Sequence, residues 1–184
     1  MITIKKYIII ILTIFNFVYS YSIKDKCVDI INSYFGSDIE LVNEEYIIPY
    51  DIKIKIENKI KQKFYRGKIF YWIIKTPDEI NYALLDNSIG KTMPITYLVI
   101  FNNDLEVINS SIIKYREPYG GEVSGKKWLS QFNGMASESI YKFEKEIDGI
   151  SGATLSVRSL TKGINKLSLL LPYVIDEYIN QNYE

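Results

Sequence analysis

The chain contains no histidine and a single cysteine, Cys27, among its 184 residues. Without imidazole, this sequence cannot form Ser-His-Asp or Cys-His nucleophile pairs, histidine-ligated metal sites or histidine-ligated haem. A lone cysteine also excludes an intrachain disulfide, a zinc knuckle and an iron–sulfur cluster held by this chain alone. Any redox chemistry must therefore come from a cofactor that the chain binds.

An excess of charge of either sign is also missing, since 22 basic and 22 acidic residues give a net charge of zero. The sequence therefore has no basic footprint of the kind that binds nucleic acid, and we expect no nucleic-acid partner. The length suits one domain with a substantial core and is too short for two.

The N-terminus has the pattern of a secretory signal peptide. Lys5 and Lys6 precede an apolar run from Tyr7 to Val18, and the small Ser20 stands where a signal peptidase would cleave. The run is shorter than the roughly 20 residues that cross a bilayer, although retention as an N-terminal anchor is the alternative. We expect residues 1–20 to direct export to the periplasm or the outer face of the cytoplasmic membrane, and residues 21–184 to form one domain.

Hydrophobic periodicity predicts helices and strands in sequence order. A short helix is expected over Cys27–Tyr34, ended by Gly36, and Asp51–Lys63 fits either a helix or a strand, with a helix favoured. Runs of β-branched and aromatic residues predict strands at Leu41–Ile48, Ile69–Lys75, Tyr82–Ile89, Thr96–Phe101 and Glu106–Tyr115. Short turns between the later strands predict an antiparallel meander.

The pattern turns helical after Trp128 and predicts a long helix over Ser156–Tyr178. Pro172 lies inside this segment and should kink or break it. The expected fold is α+β, with one antiparallel sheet and the helices packed on one side of it. Residues 21–89 give the weaker pattern.

Residues 148–156, DGISGATLS, carry the strongest chemical signal. Alanine occurs elsewhere only at positions 83 and 136, so a Gly-Ala pair within a run of small residues departs from the background. Small residues let a backbone approach a bulky group, and the following helix would present its first N–H groups to a phosphate. Thr154 and Ser156 would add hydroxyls there. The pattern predicts a site for a phosphate-sized anion with an esterifiable oxygen.

A purely structural alternative explains the same residues. Ser151, Thr154 or Ser156 could cap the helix, while Gly149 and Gly152 serve the preceding turn. A Walker phosphate loop is excluded because the Gly-Lys-Ser/Thr ending is missing.

DGISGATLS resembles the flavinylation motif of the FMN-binding domain family, which includes the covalent FMN subunits of the Rnf and Nqr electron-transport complexes. Residues 115–122, YREPYGGE, and 128–134, WLSQFNG, look like two further segments of that family, in the expected order. The resemblance spans about Gly90 to Leu169. EPYGG replaces the E-T-P-G form of the ion-pump subunits, so the chain looks like a stand-alone exported member, and Met135 stands where lysine is common.

The resemblance implies that Thr154 is esterified to the phosphate of FMN. Asp148 would be the acidic residue that begins the motif. Ser151, Gly152 and Ala153 would be the small residues that lead up to the modified threonine. A flavin transferase would move FMN from FAD to the threonine, using Mg²⁺ and releasing AMP. Ser156, whose hydroxyl lies with that of Thr154 at the helix N-terminus, is a further candidate cofactor-binding residue. The remaining candidates are Tyr115, Tyr119, Trp128 and Phe132 around the ring, Glu117 at a ring edge or the ribityl chain, Gly120 and Gly121 near the flavin, and Arg116 and Arg158 at the phosphate.

We interpret the chain as an exported FMN-binding electron carrier between a membrane or envelope reductase and an external acceptor. One alternative is a flavin-dependent reductase with its own small-molecule substrate in the EPYGG region. Another is an exported binding or structural module without flavin. A metal site is not expected.

Overall fold

A computed structural model describes residues 22–183, so the predicted signal peptide at residues 1–20 lies outside the described residues. The described part contains four α-helices, five β-strands and two 3₁₀ turns at Gly121–Ser124 and Ser130–Phe132. In chain order, the main elements are α1 (Ile23–Phe35), β1 (Glu40–Ile47), α2 (Tyr50–Ile60), β2 (Lys68–Lys75), β3 (Ile80–Ile89), β4 (Pro94–Phe101), β5 (Val107–Lys114), α3 (Lys126–Leu129) and α4 (Thr154–Tyr183).

The five strands form one sheet in the order β1-β2-β3-β4-β5, and every neighbouring pair is antiparallel. The strands are rich in Ile, Val, Tyr and Phe, the residue types that favour a pleated, buried surface. The predicted α+β fold with an antiparallel meander is confirmed, and each predicted strand lies within two residues of its observed bounds.

Helices cover both faces of the sheet. Along β2, Tyr71 and Ile73 pack in the larger core with α4, whereas Trp72 and Ile74 pack in a second core that includes Ile31 of α1. The expectation that all helices lie on one side is therefore wrong. Burial on both faces also explains why β2 reads as a nearly continuous apolar run rather than an alternating one.

The N-terminal helix is longer than its predicted core because it has a capping box. The Ser22 hydroxyl accepts a hydrogen bond from Asp25 N at 3.1 Å, and the Asp25 carboxylate accepts one from Ser22 N at 2.7 Å. The helix ends at Gly36 as predicted, with φ +86°. The ambiguous segment after β1 is the helix α2, as favoured.

Helix α4 continues through Pro172, so of the predicted kink or break the break is wrong. A proline inside a helix costs about 3 kcal/mol, but residues on both sides of it, including Leu167, Leu171 and Val174, are fully buried in the larger core. The helical expectation after Trp128 holds only for α4. Residues 133–153 form turns and two isolated bridges, Glu106 with Ala136 and Phe143 with Ile147.

No helix within residues 22–183 combines the length and apolar character needed to cross a bilayer.

Candidate functional site

A cleft of about 500 Å³ opens where three chain segments meet: the β3–β4 turn, the segment after β5 and the N-terminus of α4. Its size falls within the range of small-molecule sites. The cleft is lined by Lys91, Thr92, Glu117, Pro118, Tyr119, Gly152, Ala153, Thr154, Leu155 and Ser156. Two of the three sequence segments that carry the FMN-binding resemblance thus meet at one cleft.

The small-residue segment enters α4 through a tight turn. Ala153 N donates to Ile150 O at 3.0 Å, and Gly152, the third residue of the turn, has φ +79°. A positive φ at that position with an ordinary φ before it is the geometry of a type II turn, which favours glycine. Gly152 therefore turns the chain so that Thr154 becomes the first residue of the helix.

The first turn of α4 offers free hydrogen-bond donors. Within residues 22–183, no group accepts a hydrogen bond from the N–H groups of Thr154, Leu155 or Ser156. The residue before the helix is Ala153, whose methyl group cannot cap it. The structural alternative, in which Ser151, Thr154 or Ser156 caps this helix, is thus wrong, and the free N–H groups suit an anion.

The three candidate hydroxyls at this turn have different environments. Thr154 is exposed, lines the cleft and makes no side-chain hydrogen bond with the described residues. Ser156 is only 4% exposed, and its Oγ lies 3.2 Å from the Tyr115 hydroxyl. Ser151 is exposed but does not line the cleft. Of these three hydroxyl-bearing residues, Thr154 is the one that is both exposed and in the lining of the cleft.

Glu117 holds the β3–β4 turn from across the cleft. Its carboxylate accepts hydrogen bonds from Thr92 N at 2.7 Å, Met93 N at 2.9 Å and the Thr92 hydroxyl at 3.1 Å. The Met93 and Thr92 N–H groups lower the pKa of Glu117, so it stays ionised. A Cβ on Gly90 would lie 2.7 Å from Glu117 Oε1, so glycine permits this approach. Glu117 lines the cleft, yet both of its oxygens bind the turn.

Tyr119 forms the neighbouring wall of the cleft, whereas Gly120, the next residue, does not line it. Tyr119 is 81% exposed and lines the cleft, and its carbonyl accepts a hydrogen bond from the Tyr115 hydroxyl at 2.6 Å. Gly120 has φ +79°, and a Cβ there would lie 2.9 Å from the Ala153 side chain. Gly120 thus lets this segment pack directly on the turn before α4. Gly121 does not line the cleft and begins a 3₁₀ turn.

Trp128 and Phe132 do not line the cleft. Both are buried in the larger core, with their rings edge to face at 5.5 Å. The Trp128 indole N–H donates to Asp148 O at 2.9 Å, and Asp148 N donates to Gln131 Oε1 at 2.8 Å. Asp148 is exposed and also lies outside the cleft lining. The WLSQF segment therefore contacts residues 148–156 through hydrogen bonds to the Asp148 main chain.

The two candidate arginines also lie away from the cleft lining. The Arg116 guanidinium donates to Pro94 O at 2.9 Å and to the Thr96 hydroxyl at 3.0 Å, and Arg158 lies over the Phe143 ring at 5.1 Å. The cation that does line the cleft is Lys91, which was not among the candidate residues predicted from the sequence. Lys91 lies there because the β3–β4 turn folds beside α4, and no sequence motif predicts that contact.

No group of three or more metal-ligating side chains occurs among residues 22–183.

The comparison with protein-family models agrees with the resemblance seen in the sequence. The family model of the FMN-binding domain matches residues 90–168, a little under half of the chain. No match was found among curated proteins. Among solved structures, the chain is similar to a component of the Na⁺-translocating NADH-quinone reductase from Parabacteroides distasonis, with 14% identity, a TM-score of 0.45 and coverage of 78% of this chain and 83% of that one. The residues that match the FMN-binding domain model include those that line the cleft and all three sequence motifs.

Proposed function

We propose that the chain is an exported electron-transfer protein that carries FMN esterified to Thr154. The observation that carries the proposal is the position of the Thr154 hydroxyl. It is exposed and lines the cleft of an FMN-binding domain, at the first turn of a helix whose N–H groups are free. FMN-based electron transfer fits the family; the threonine linkage and export are our further steps.

The residues at the cleft fit the chemistry of FMN. The free N–H groups of Thr154, Leu155 and Ser156, with the positive end of the α4 dipole, favour a phosphate beside the threonine. Lys91 adds a cation, and the exposed Tyr119 ring and Leu155 side chain offer apolar surface for an aromatic ring. When bound, the isoalloxazine ring supplies the electron exchange, and the protein positions it.

Attachment requires a modifying partner, and we propose a flavin transferase that uses FAD and Mg²⁺. The Thr154 hydroxyl would lose its proton and form the phosphoester bond to FMN, while the pyrophosphate bond of FAD breaks and AMP leaves. Covalent attachment suits an exposed cleft, because nanomolar noncovalent retention would need about 12 kcal/mol of binding free energy.

Export rests on the N-terminal pattern of Lys5, Lys6 and the apolar run up to Val18. We propose a location in the periplasm or on the outer face of the cytoplasmic membrane. The partners there would be a membrane or envelope reductase as donor and an external acceptor. N-terminal sequencing of the mature protein tests this part, with a start after Ser20 expected if the leader is cleaved.

Coexpression with a flavin transferase tests the attachment. We expect flavin fluorescence to remain with the denatured wild-type protein and with Ser151→Ala, and to be absent from Thr154→Ala. Ser151→Ala is the matched control because Ser151 is an exposed hydroxyl of the same turn outside the cleft. Covalent fluorescence in Thr154→Ala would contradict the assigned site.

A further inference from the structure

The turn that carries Thr154 has few hydrogen bonds to the rest of the protein. Within residues 22–183, two hydrogen bonds join residues 148–153 to segments other than α4. Both involve the main chain of Asp148. Trp128 Nε1 donates to Asp148 O at 2.9 Å, and Gln131 Oε1 accepts from Asp148 N at 2.8 Å. Trp128 and Gln131 therefore bind both main-chain polar groups of Asp148, the residue with which this segment begins.

The holding groups are themselves fixed. Gln131 Nε2 donates to Trp128 O at 3.1 Å, which orients the amide so that its oxygen faces Asp148 N. The Trp128 ring is 7% exposed and packs edge to face on Phe132. Other contacts already restrict both side chains. Their hydrogen bonds to Asp148 therefore confine its main chain at little further cost in side-chain entropy.

We propose that Gln131 and Trp128 are positioning residues for the attachment of FMN. They fix Asp148, and the turn that follows then presents the Thr154 hydroxyl at one place beside the cleft. Neither residue lines the cleft, so their effect passes through the Asp148 main chain. This inference rests on the proposed attachment at Thr154.

The rate of attachment to the folded protein tests the role. With saturating flavin transferase and FAD, we expect Gln131→Ala and Trp128→Phe each to be flavinylated about tenfold more slowly than wild type, as expected when one oriented contact is lost. Trp128→Phe keeps an aromatic ring and removes the indole N–H. Ser130→Ala is the matched control, because its hydroxyl binds Lys127 O in the same segment and does not touch Asp148.

A second measurement separates positioning from general destabilisation. Amide hydrogen exchange of the flavin-free protein reports the Asp148 N–H directly, and we expect it to exchange at least about tenfold faster in Gln131→Ala than in Ser130→Ala. Core amides of β3 and β4 should exchange at wild-type rates. A merely structural role would instead lower the melting temperature, speed exchange in the core and leave the attachment rate of the folded protein unchanged.

The outcomes distinguish this inference from the proposed function. A wild-type adduct on Thr154, with wild-type attachment rates in both Gln131→Ala and Trp128→Phe, overturns the positioning role alone. The absence of any adduct on wild-type Thr154 overturns the proposed function and this inference together. Slower attachment in both variants, with unchanged core exchange, supports the inference.

Discussion

The hydroxyl oxygens of Tyr115 and Ser156 lie 3.2 Å apart and join the segment after β5 to the first turn of α4. Tyr115 donates its single hydroxyl proton to Tyr119 O at 2.6 Å, so Ser156 is the donor of the bond between the two hydroxyls. One tyrosine thus connects the wall that carries Tyr119 to the helix that begins with Thr154. The geometry of the cleft depends on this connection.

Replacing Tyr115 with phenylalanine should weaken the fold locally. The variant loses two hydrogen bonds and leaves the buried Ser156 hydroxyl without this partner, which should lower the free energy of unfolding by about 1 to 3 kcal/mol. Urea unfolding measures the change. Tyr34→Phe is the control, because Tyr34 is half exposed and its hydroxyl makes no hydrogen bond with the described residues. Equal stability of both variants would contradict the assigned connection.

Thr154→Ala should separate attachment from folding. The Thr154 hydroxyl makes no hydrogen bond with the described residues, and alanine is the best helix former, so we expect the free energy of unfolding to change by less than about 1 kcal/mol. Thr154→Ser should retain covalent flavin, because it keeps the hydroxyl. Thermal unfolding together with flavin content checks both variants. A large loss of stability in Thr154→Ala would mean that this threonine has a structural role.

Glu117 should make stability depend on pH. Hydrogen bonds from Met93 and Thr92 lower its folded-state pKa, so its stabilisation is complete above the unfolded-state pKa, about 4.3 for a glutamate. That stabilisation is lost as the pH falls through the lowered folded-state pKa. Melting temperatures from neutral to acidic pH should therefore fall less in Glu117→Gln than in wild type.

Glu79→Gln is the control for this effect, because the Glu79 side chain makes no hydrogen bond with the described residues. It should follow the wild-type pH dependence. If Glu117→Gln and wild type lose stability in parallel, the carboxylate does not hold the β3–β4 turn.

Gly163 should resist replacement by alanine although it lies inside α4. Alanine favours a helix by about 1 kcal/mol over glycine, but its Cβ would lie 2.5 Å from both Ser88 Oγ and Tyr97 Oη. Overpacking of this kind costs about 1 to 3 kcal/mol, so we expect a net loss of stability. Gly67→Ala is the control, because nothing lies within 4 Å of a Cβ there. A stabilised Gly163→Ala would show that α4 can shift away from the sheet.

The sheet could be predicted because its signal is local. Runs such as Ile69–Lys75 combine β-branched and aromatic residues over the length of a strand, and short turns connect the later strands. The N-terminus of α4 was expected beside the small-residue motif for the same reason. The capping box at Ser22 and Asp25 was available in the sequence and would have extended α1.

Other features depend on contacts between distant segments. No local pattern shows that α1 covers the second face of the sheet, or that burial sustains α4 through Pro172. The aromatic ring of Trp128 suggested a flavin contact. In the structure Trp128 lies in the core, and its indole N–H donates a hydrogen bond to Asp148 O. Lys91 lines the cleft only because the β3–β4 turn folds beside α4.

Intact mass and visible absorption of the protein from its native host, followed by peptide mapping across residues 148–158, test the central claim most directly. The account predicts a yellow protein that is heavier than the polypeptide by FMN less one water, with the adduct on Thr154. A colourless protein of unmodified mass, or an adduct on Ser151 or Ser156, would contradict it.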